Sequence, residues 1–541
     1  MKRRNFLLGG SIVAAAAPSV VSTAVAETSA RDGGIRFRKD RDRPTSPSGA
    51  SGGLEPYQPT AGSPWNRQRA AHLLRRTGFG VTWPELDAAT SSTPAAIVDR
   101  LLAPVSAPPP PGTWVNDAPF PSLTNEAQAQ YSIWARNMQE WWFTLMRDPA
   151  RMLREKMTLF WHNHFVSEYA TVYVTQYIYR QNQLFRTNAL GDFRELTKQV
   201  TIDPAMLVYL DGATNKAGNP NENYGRELLE LFTLGAGAYS NGTPHYTERD
   251  IIELSRALTG WTINGLASEF RPARFDNGSK SILGASGNFG IQGKGALDVI
   301  DHIFSLVNPD NGKRQAAVFL CSKLYTAFVH HTPDPAIVAG MAETLVASEW
   351  RIEPVLRQLL TSAHFFDENI IGSIVKSPVE FTVGAMRELA LKPKFARQNT
   401  SVSRLELHDP VTTMMYLSQI LLNPPNVKGW PGGRSWISSA TMPLRIRYSK
   451  FWVEPIPSAL AYEFDPQAWI MGLPDSTSAT RLVDHIIEVL LPLGLSSESR
   501  ALLLDELLAG GYEWFPEQPN AIPRIRACLI RLMNLGEYQL M

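Results

Sequence analysis

Three observations predict a mainly α-helical protein, a large multi-helix, bundle-like domain with long loops and room for one small β-hairpin excursion. Apolar residues recur every three to four positions through most segments beyond Pro64, as in PELDAATSSTPAAIVDRLL, EPVLRQLLTSAHFF and TTMMYLSQILL. Capping residues bracket many of those segments. One stretch, Ile263 to Gly295, breaks the rhythm with Gly, Ser, Asn and short apolar pairs, as a loop or small hairpin on a helical body does.

Residues 1–26 read as a twin-arginine signal peptide. Lys2-Arg3-Arg4-Asn5-Phe6-Leu7-Leu8 opens it, and Ala24-Val25-Ala26 supplies a small-residue cleavage site. The apolar run between them is broken by Gly9, Gly10, Ser11 and Pro18, which makes it too weak for a membrane span. The expected destination is the periplasm or the extracellular space, reached through the twin-arginine export machinery. That route carries folded passengers and so accommodates a bound divalent metal.

Residues 27–63 form an expected disordered linker, because RFRKDRDRPTSPSGASGG offers little apolar surface to offset ordering entropy. Residues 64–541 form the expected helical domain, with a family core at about 65–447 and a C-terminal helical extension at 448–541. Its 44% hydrophobic residues are enough for one large core. With 52 basic against 51 acidic residues and a formal charge of +1, the chain lacks the basic excess of a nucleic-acid-binding protein. Cys321 and Cys528 are its two cysteines, so no disulfide framework exists, and Cys321 in VFLCSKLYTAFV reads as a small buried hydrophobe.

After the polyproline-like loop APVSAPPPPGT (Ala103 to Thr113), ARMLREKMTLFWHNHF places His162 and His164 two positions apart. On one helix they point about 200° apart and cannot grip one metal together. His164 then shares the core face with Leu153, Met157, Phe160 and Trp161, bonded to Glu168 or to backbone, while His162 points toward Glu155 and Tyr169. A helix ending at Trp161 would instead let an extended His-Asn-His present both rings to one side, as metal sites do. His162 and His164 therefore stand as packing residues on one reading and as metal ligands or acid–base groups on the other.

In NENYGRELLELFTLG, Asn221 or Asn223 caps a helix and Gly235 follows it. Tyr224, Leu228, Leu231 and Phe232 make the apolar face, Glu227 and Glu230 flank it, and Arg226 is placed to pair with Glu230 four residues on. Isolated glutamate pairs are usually solvated. This pair borders an apolar face and follows the polar loop DGATNKAGNPNEN, so Glu227 and Glu230 are candidate catalytic carboxylates, with Asn223 and Arg226 as substrate contacts. In TERDIIELSRALTG, Thr247 and Asp250 form a capping-box variant, and Asp250 also lies on the face of Leu254, Ala257 and Leu258. Capping accounts for Asp250, and catalysis is the rival role. Glu253 and Arg256 read as an intrahelical pair.

NPPNVKGWPGGRSWI, Asn423 to Ile437, combines breakers, two tryptophans and two cations. Trp430 and Trp436 offer flat faces for sugar rings, and Lys428 and Arg434 offer charge for an anion. The opposing reading is a structural plug of buried tryptophans.

The blocks AAHLLRRTGFG, FWHNHF, NENYGRELLELFTLG, YTERDIIELSRALTGW, KSILG, KSPVE and NPPNVKGWPGGRSWI, in this order from Trp65 to Arg447, resemble the bacterial "domain of unknown function 1800" family. The resemblance implies an exported protein and assigns no reaction. Relatives tend to read His-Asp where this chain has Phe275-Asp276, which would leave a metal site relying on that histidine incomplete. Relatives are often encoded beside a second exported family similar to sulfatases and phosphatases, which implies such a protein as a partner and envelope or polysaccharide chemistry. The leading expectation is a hydrolase or lyase on an extracellular glycan. The alternatives are a metal-dependent enzyme and a non-catalytic glycan- or partner-binding envelope protein.

Overall fold

Helix starts in this chain are set by side chains that accept otherwise unpaired first-turn amides. Asn66 accepts from the amide of Arg69, Thr93 from Ala96, Thr124 from Ala127 and Asp192 from Glu195. Capping boxes open three more helices, at Thr82–Glu85, Thr247–Asp250 and Ser377–Glu380. The computed structural model describes residues 50, 52–290, 295–393, 409–454 and 462–541. The expected signal peptide and most of the expected linker lie outside the described residues.

In chain order the helices begin with α1 (Arg67–Thr77), α2 (Trp83–Thr90), α3 (Pro94–Leu102), α4 (Asn125–Arg147) and α5 (Met152–His164). Next come α6 (Tyr169–Val172), α7 (Thr175–Thr187), α8 (Phe193–Thr201), α9 (Pro204–Tyr209), α10 (Glu222–Glu227) and α11 (Glu248–Ala257). Beyond the strands lie α12 (Gly295–Ser305), α13 (Gln315–Phe328), α14 (Pro335–Ala347), α15 (Ile352–Leu360), α16 (Pro378–Glu388) and α17 (Pro410–Tyr416). The C-terminal helices are α18 (Thr441–Val453), α19 (Pro466–Met471), α20 (Ala479–Leu490), α21 (Ser497–Leu508) and α22 (Ala521–Met533). The protein is mainly α, as expected. None of the helices among the described residues is long and apolar enough to cross a membrane.

The irregular stretch after α11 holds two hairpins rather than one. β1 (Trp261–Asn264) pairs antiparallel with β2 (Ala267–Phe270), and β3 (Lys280–Ile282) with β4 (Ala285–Gly287). A third pair, β5 (Lys392–Pro393) with β6 (Tyr462–Glu463), joins segments far apart in sequence and has two residues a side, too few for an alternating pattern to register.

Apolar side chains gather into two clusters. The first takes its residues from α1, α5, α8, the α10 segment and α11 to α15; the second takes them from α4, α16 to α18 and α20 to α22. Tyr209, at the end of α9, packs against both. Buried ion pairs stitch this architecture. Lys156 of α5 bonds Glu380 at the start of α16, and Arg186 of α7 grips Glu155 of α5 at 2.7 and 2.9 Å while Trp142 donates to the same carboxylate at 3.0 Å. Such pairs contribute little net stability but are costly to halve, so they fix which helices meet. Cys321 and Cys528 are both buried and unpaired, one in each cluster.

Candidate functional site

α10 does not end at Glu227. It runs directly into a π-helical segment, Leu228–Thr233, in which each turn holds one extra residue. The wider turn is locked at its end. The Thr233 hydroxyl donates to the Leu228 carbonyl at 2.5 Å, and the amides of Leu234 and Gly235 both reach the Leu229 carbonyl at 3.0 Å. Gly235 has φ +83°, and a Cβ there would stand 2.9 Å from the Phe319 ring, so glycine is required on both counts.

The carbonyls of Leu231 and Phe232 belong to the last turn and have no partner within their own helix. Two side chains from other helices supply one. Lys323 of α13 donates to the Leu231 carbonyl at 2.8 Å, and Nε2 of His164 meets the Phe232 carbonyl at 3.1 Å. A carbonyl only accepts, so Nε2 carries the His164 proton and Nδ1 is left to accept from Lys323 at 3.2 Å. Burial, then the Lys323 charge, holds His164 well below its usual pKa and therefore neutral, while burial pushes Lys323 down to about 8.

α5 continues through His164, so the extended His-Asn-His arrangement does not form. His162 faces elsewhere, its ring 5.5 Å from Trp142 and 5.7 Å from Trp430, and burial pushes its pKa down to about 3. The structure does not bring His162 and His164 to one ligand position, and His164 bonds Phe232 and Lys323 rather than Glu168. Among the described residues no group of three or more His, Cys, Asp or Glu side chains is arranged to hold a metal ion.

Glu227 and Glu230 do converge with Lys428. Lys428 of the Trp loop lies 3.4 Å from Glu230. The half-buried Glu227 carboxyl accepts no hydrogen bond among the described residues, and desolvation followed by the neighbouring Glu230 charge raises its pKa against the pull of Lys428 and Arg226. Two phenols complete the surround. Tyr209 is pushed up to about 12 by burial and then by Glu168 and Glu227, and Tyr246 up to about 12 by burial and then by Glu230. Both tyrosines and Leu231 are partly buried against the first cluster, so the carboxylates sit on an aromatic and apolar rim.

The other expected site residues take different places. Asn221, not Asn223, caps α10, and Asn223 donates to Asp211 at 3.0 Å. Arg226 does not reach Glu230. It forks onto Glu248 of α11 at 2.8 and 2.7 Å, because Gly225 lets α10 and α11 cross closely; a Cβ there would lie 2.6 Å from the Ser255 hydroxyl. Asp250 accepts from the amide and hydroxyl of Thr247 and, at 2.7 Å, from the amide of Leu283, so it caps α11 and pins the second hairpin. Trp430 and Trp436 are 5% and 6% exposed, which closes their faces to a sugar. Asn163 accepts from the Trp430 amide at 2.7 Å and bonds its carbonyl at 3.4 Å. Arg434 is exposed and stands near His331. Phe275 is buried against Phe270 and lies 4.8 Å beneath the Lys280 ammonium, while Asp276 bonds Arg256 at 2.9 and 3.1 Å.

Sequence reasoning missed Tyr209, Tyr246 and Lys323, and named Glu168 only as a partner for His164. Lys323 alone left a trace, as a single cation inside the apolar run VFLCSKLYTAFV.

The sequence model described as "Protein of unknown function (DUF1800)" matches residues 72–539. No curated protein and no solved structure matches the chain.

Proposed function

The chain belongs to the DUF1800 family, and from that premise we propose that it is an exported hydrolase or lyase that cleaves an extracellular or envelope glycan at the Glu227–Glu230 edge. One observation carries the reading. Of two neighbouring carboxyls, Glu230 has a cation at 3.4 Å, whereas Glu227 is half-buried, accepts no hydrogen bond among the described residues and is raised in pKa. Paired carboxyls in unequal environments divide naturally into a proton donor and a base.

In the hydrolytic form Glu227 gives its proton to the leaving glycosidic oxygen as the bond to the sugar carbon breaks. Glu230 takes the proton of the water that attacks that carbon. Tyr209 and Tyr246 stay protonated at neutral pH and serve as hydrogen-bond donors to substrate hydroxyls. The His164–Lys323 clamp holds the segment bearing Glu230.

The test is turnover of an envelope polysaccharide panel by the Glu227→Gln and Glu230→Gln variants, with folding checked by circular dichroism. Each variant is expected to lose at least about 100-fold. Unchanged turnover in both overturns the carboxylate mechanism.

A further inference from the structure

A concavity lies where α3 ends, beside α5, the end of α7 and the start of α15. Its volume is about 390 Å³, within the ~300–1,000 Å³ range of small-molecule sites. Leu102, Pro104 and Leu190 give it an apolar side, and five charged side chains give it an ionic one.

The ionic side is unbalanced. Arg154, Arg351 and Arg357 face two carboxylates, Asp99 and Glu353. Arg357 takes both, bonding Asp99 and, at 3.0 Å, Glu353. Arg351 reaches only the far oxygen of Glu353, at 3.4 Å, and remains 61% exposed. Arg154 forms no ion pair among the described residues; one of its nitrogens donates to the Arg186 carbonyl at 3.2 Å, and its buried Nε has no hydrogen-bond partner. The nearby Glu155 charge acts on Arg154, but that carboxylate is taken by Arg186 and Trp142; a partly desolvated guanidinium with no ion-pair partner of its own is costly, and its planar fork suits an oxyanion.

We propose that this groove binds a small organic oxyanion, a phosphate- or sulfate-type monoester whose charged head sits between Arg154 and Arg351 and whose body lies on Leu102, Pro104 and Leu190. An apolar body is part of the inference, because a bare inorganic anion would leave that side of the groove empty. The site is independent of Glu227 and Glu230.

The test is calorimetric titration of the full chain at fixed ionic strength with phenyl phosphate, inorganic phosphate and phenol. Phenyl phosphate is expected to bind saturably and at least tenfold more tightly than either of the others. Arg351→Gln, at an exposed position that leaves folding intact, is expected to weaken it about tenfold, and Arg154→Gln more. Absence of saturable binding, or equal affinity in wild type and Arg351→Gln, overturns the site. Equal affinity for inorganic phosphate and phenyl phosphate overturns the organic ligand.

Discussion

Lys323 stands 3.2 Å from Nδ1 of His164, and together the two side chains hold the consecutive carbonyls of Leu231 and Phe232. Of the two readings that the sequence left open for His164, packing against backbone and metal ligation, the structure shows a backbone bond that braces the segment carrying Glu230. Replacing His164 by Ala leaves the Phe232 carbonyl unbonded and opens a cavity. Chemical denaturation should show a loss of about 2–4 kcal/mol, and turnover should fall in step with the loosening of Glu230.

The same lysine sets a pH signature. Burial lowers Lys323 from its ordinary 10.5 to about 8, and Lys376 likewise to about 8. Between pH 8 and 10 the unfolded chain keeps protons that the folded chain has shed, so stability rises with pH across that window. Above it, tyrosines raised to about 12, Tyr209 and Tyr246 among them, act in the opposite sense, because they stay protonated only when folded. Denaturation midpoints measured from pH 7 to 10 should climb, and Lys323→Met should flatten the climb without abolishing it.

In the proposed mechanism Glu227 sets the falling limb of the pH–rate profile. Its raised carboxyl must be protonated to donate, so turnover should fall as pH increases through that pKa. Lys428 opposes the rise, and Lys428→Met should therefore move the falling limb to higher pH. Lys428 is 69% exposed, so the displacement should shrink in high salt. A pH–rate profile at two ionic strengths checks both statements.

Asp250 and Trp430 are predicted to be structural. Asp250→Ala removes a capping box and the acceptor for Leu283, which should cost about 1–2 kcal/mol in denaturant titration with turnover unchanged. Trp430→Ala empties a buried site beside His162 and should cost about 3–5 kcal/mol, while glycan affinity of the folded fraction stays the same.

Local rules made much of the fold legible. The Thr247–Asp250 box, the Glu253–Arg256 pair, buried Cys321 and the hairpin-bearing stretch each depend on residues within a few positions of one another. The carboxylate edge was legible for the same reason. Contacts that close over long separations were not. Arg226 chose Glu248 over Glu230 because a neighbouring helix approached through Gly225, and the backbone of Trp430 is held by Asn163, 267 residues away in sequence. The π-segment also escaped notice, since apolar spacing does not distinguish a widened turn from an ordinary one when the outward residue absorbs the difference.

That widened turn works as a built-in length tolerance. A π-turn closes around one residue more than the α-turn it replaces, so a chain shortened by one between Leu228 and Thr233 would settle into a regular α-helix with Leu228, Phe232 and Leu234 still facing inward. Only the outward acidic rim would be re-aimed, leaving a sound scaffold whose carboxylates point past their lysine.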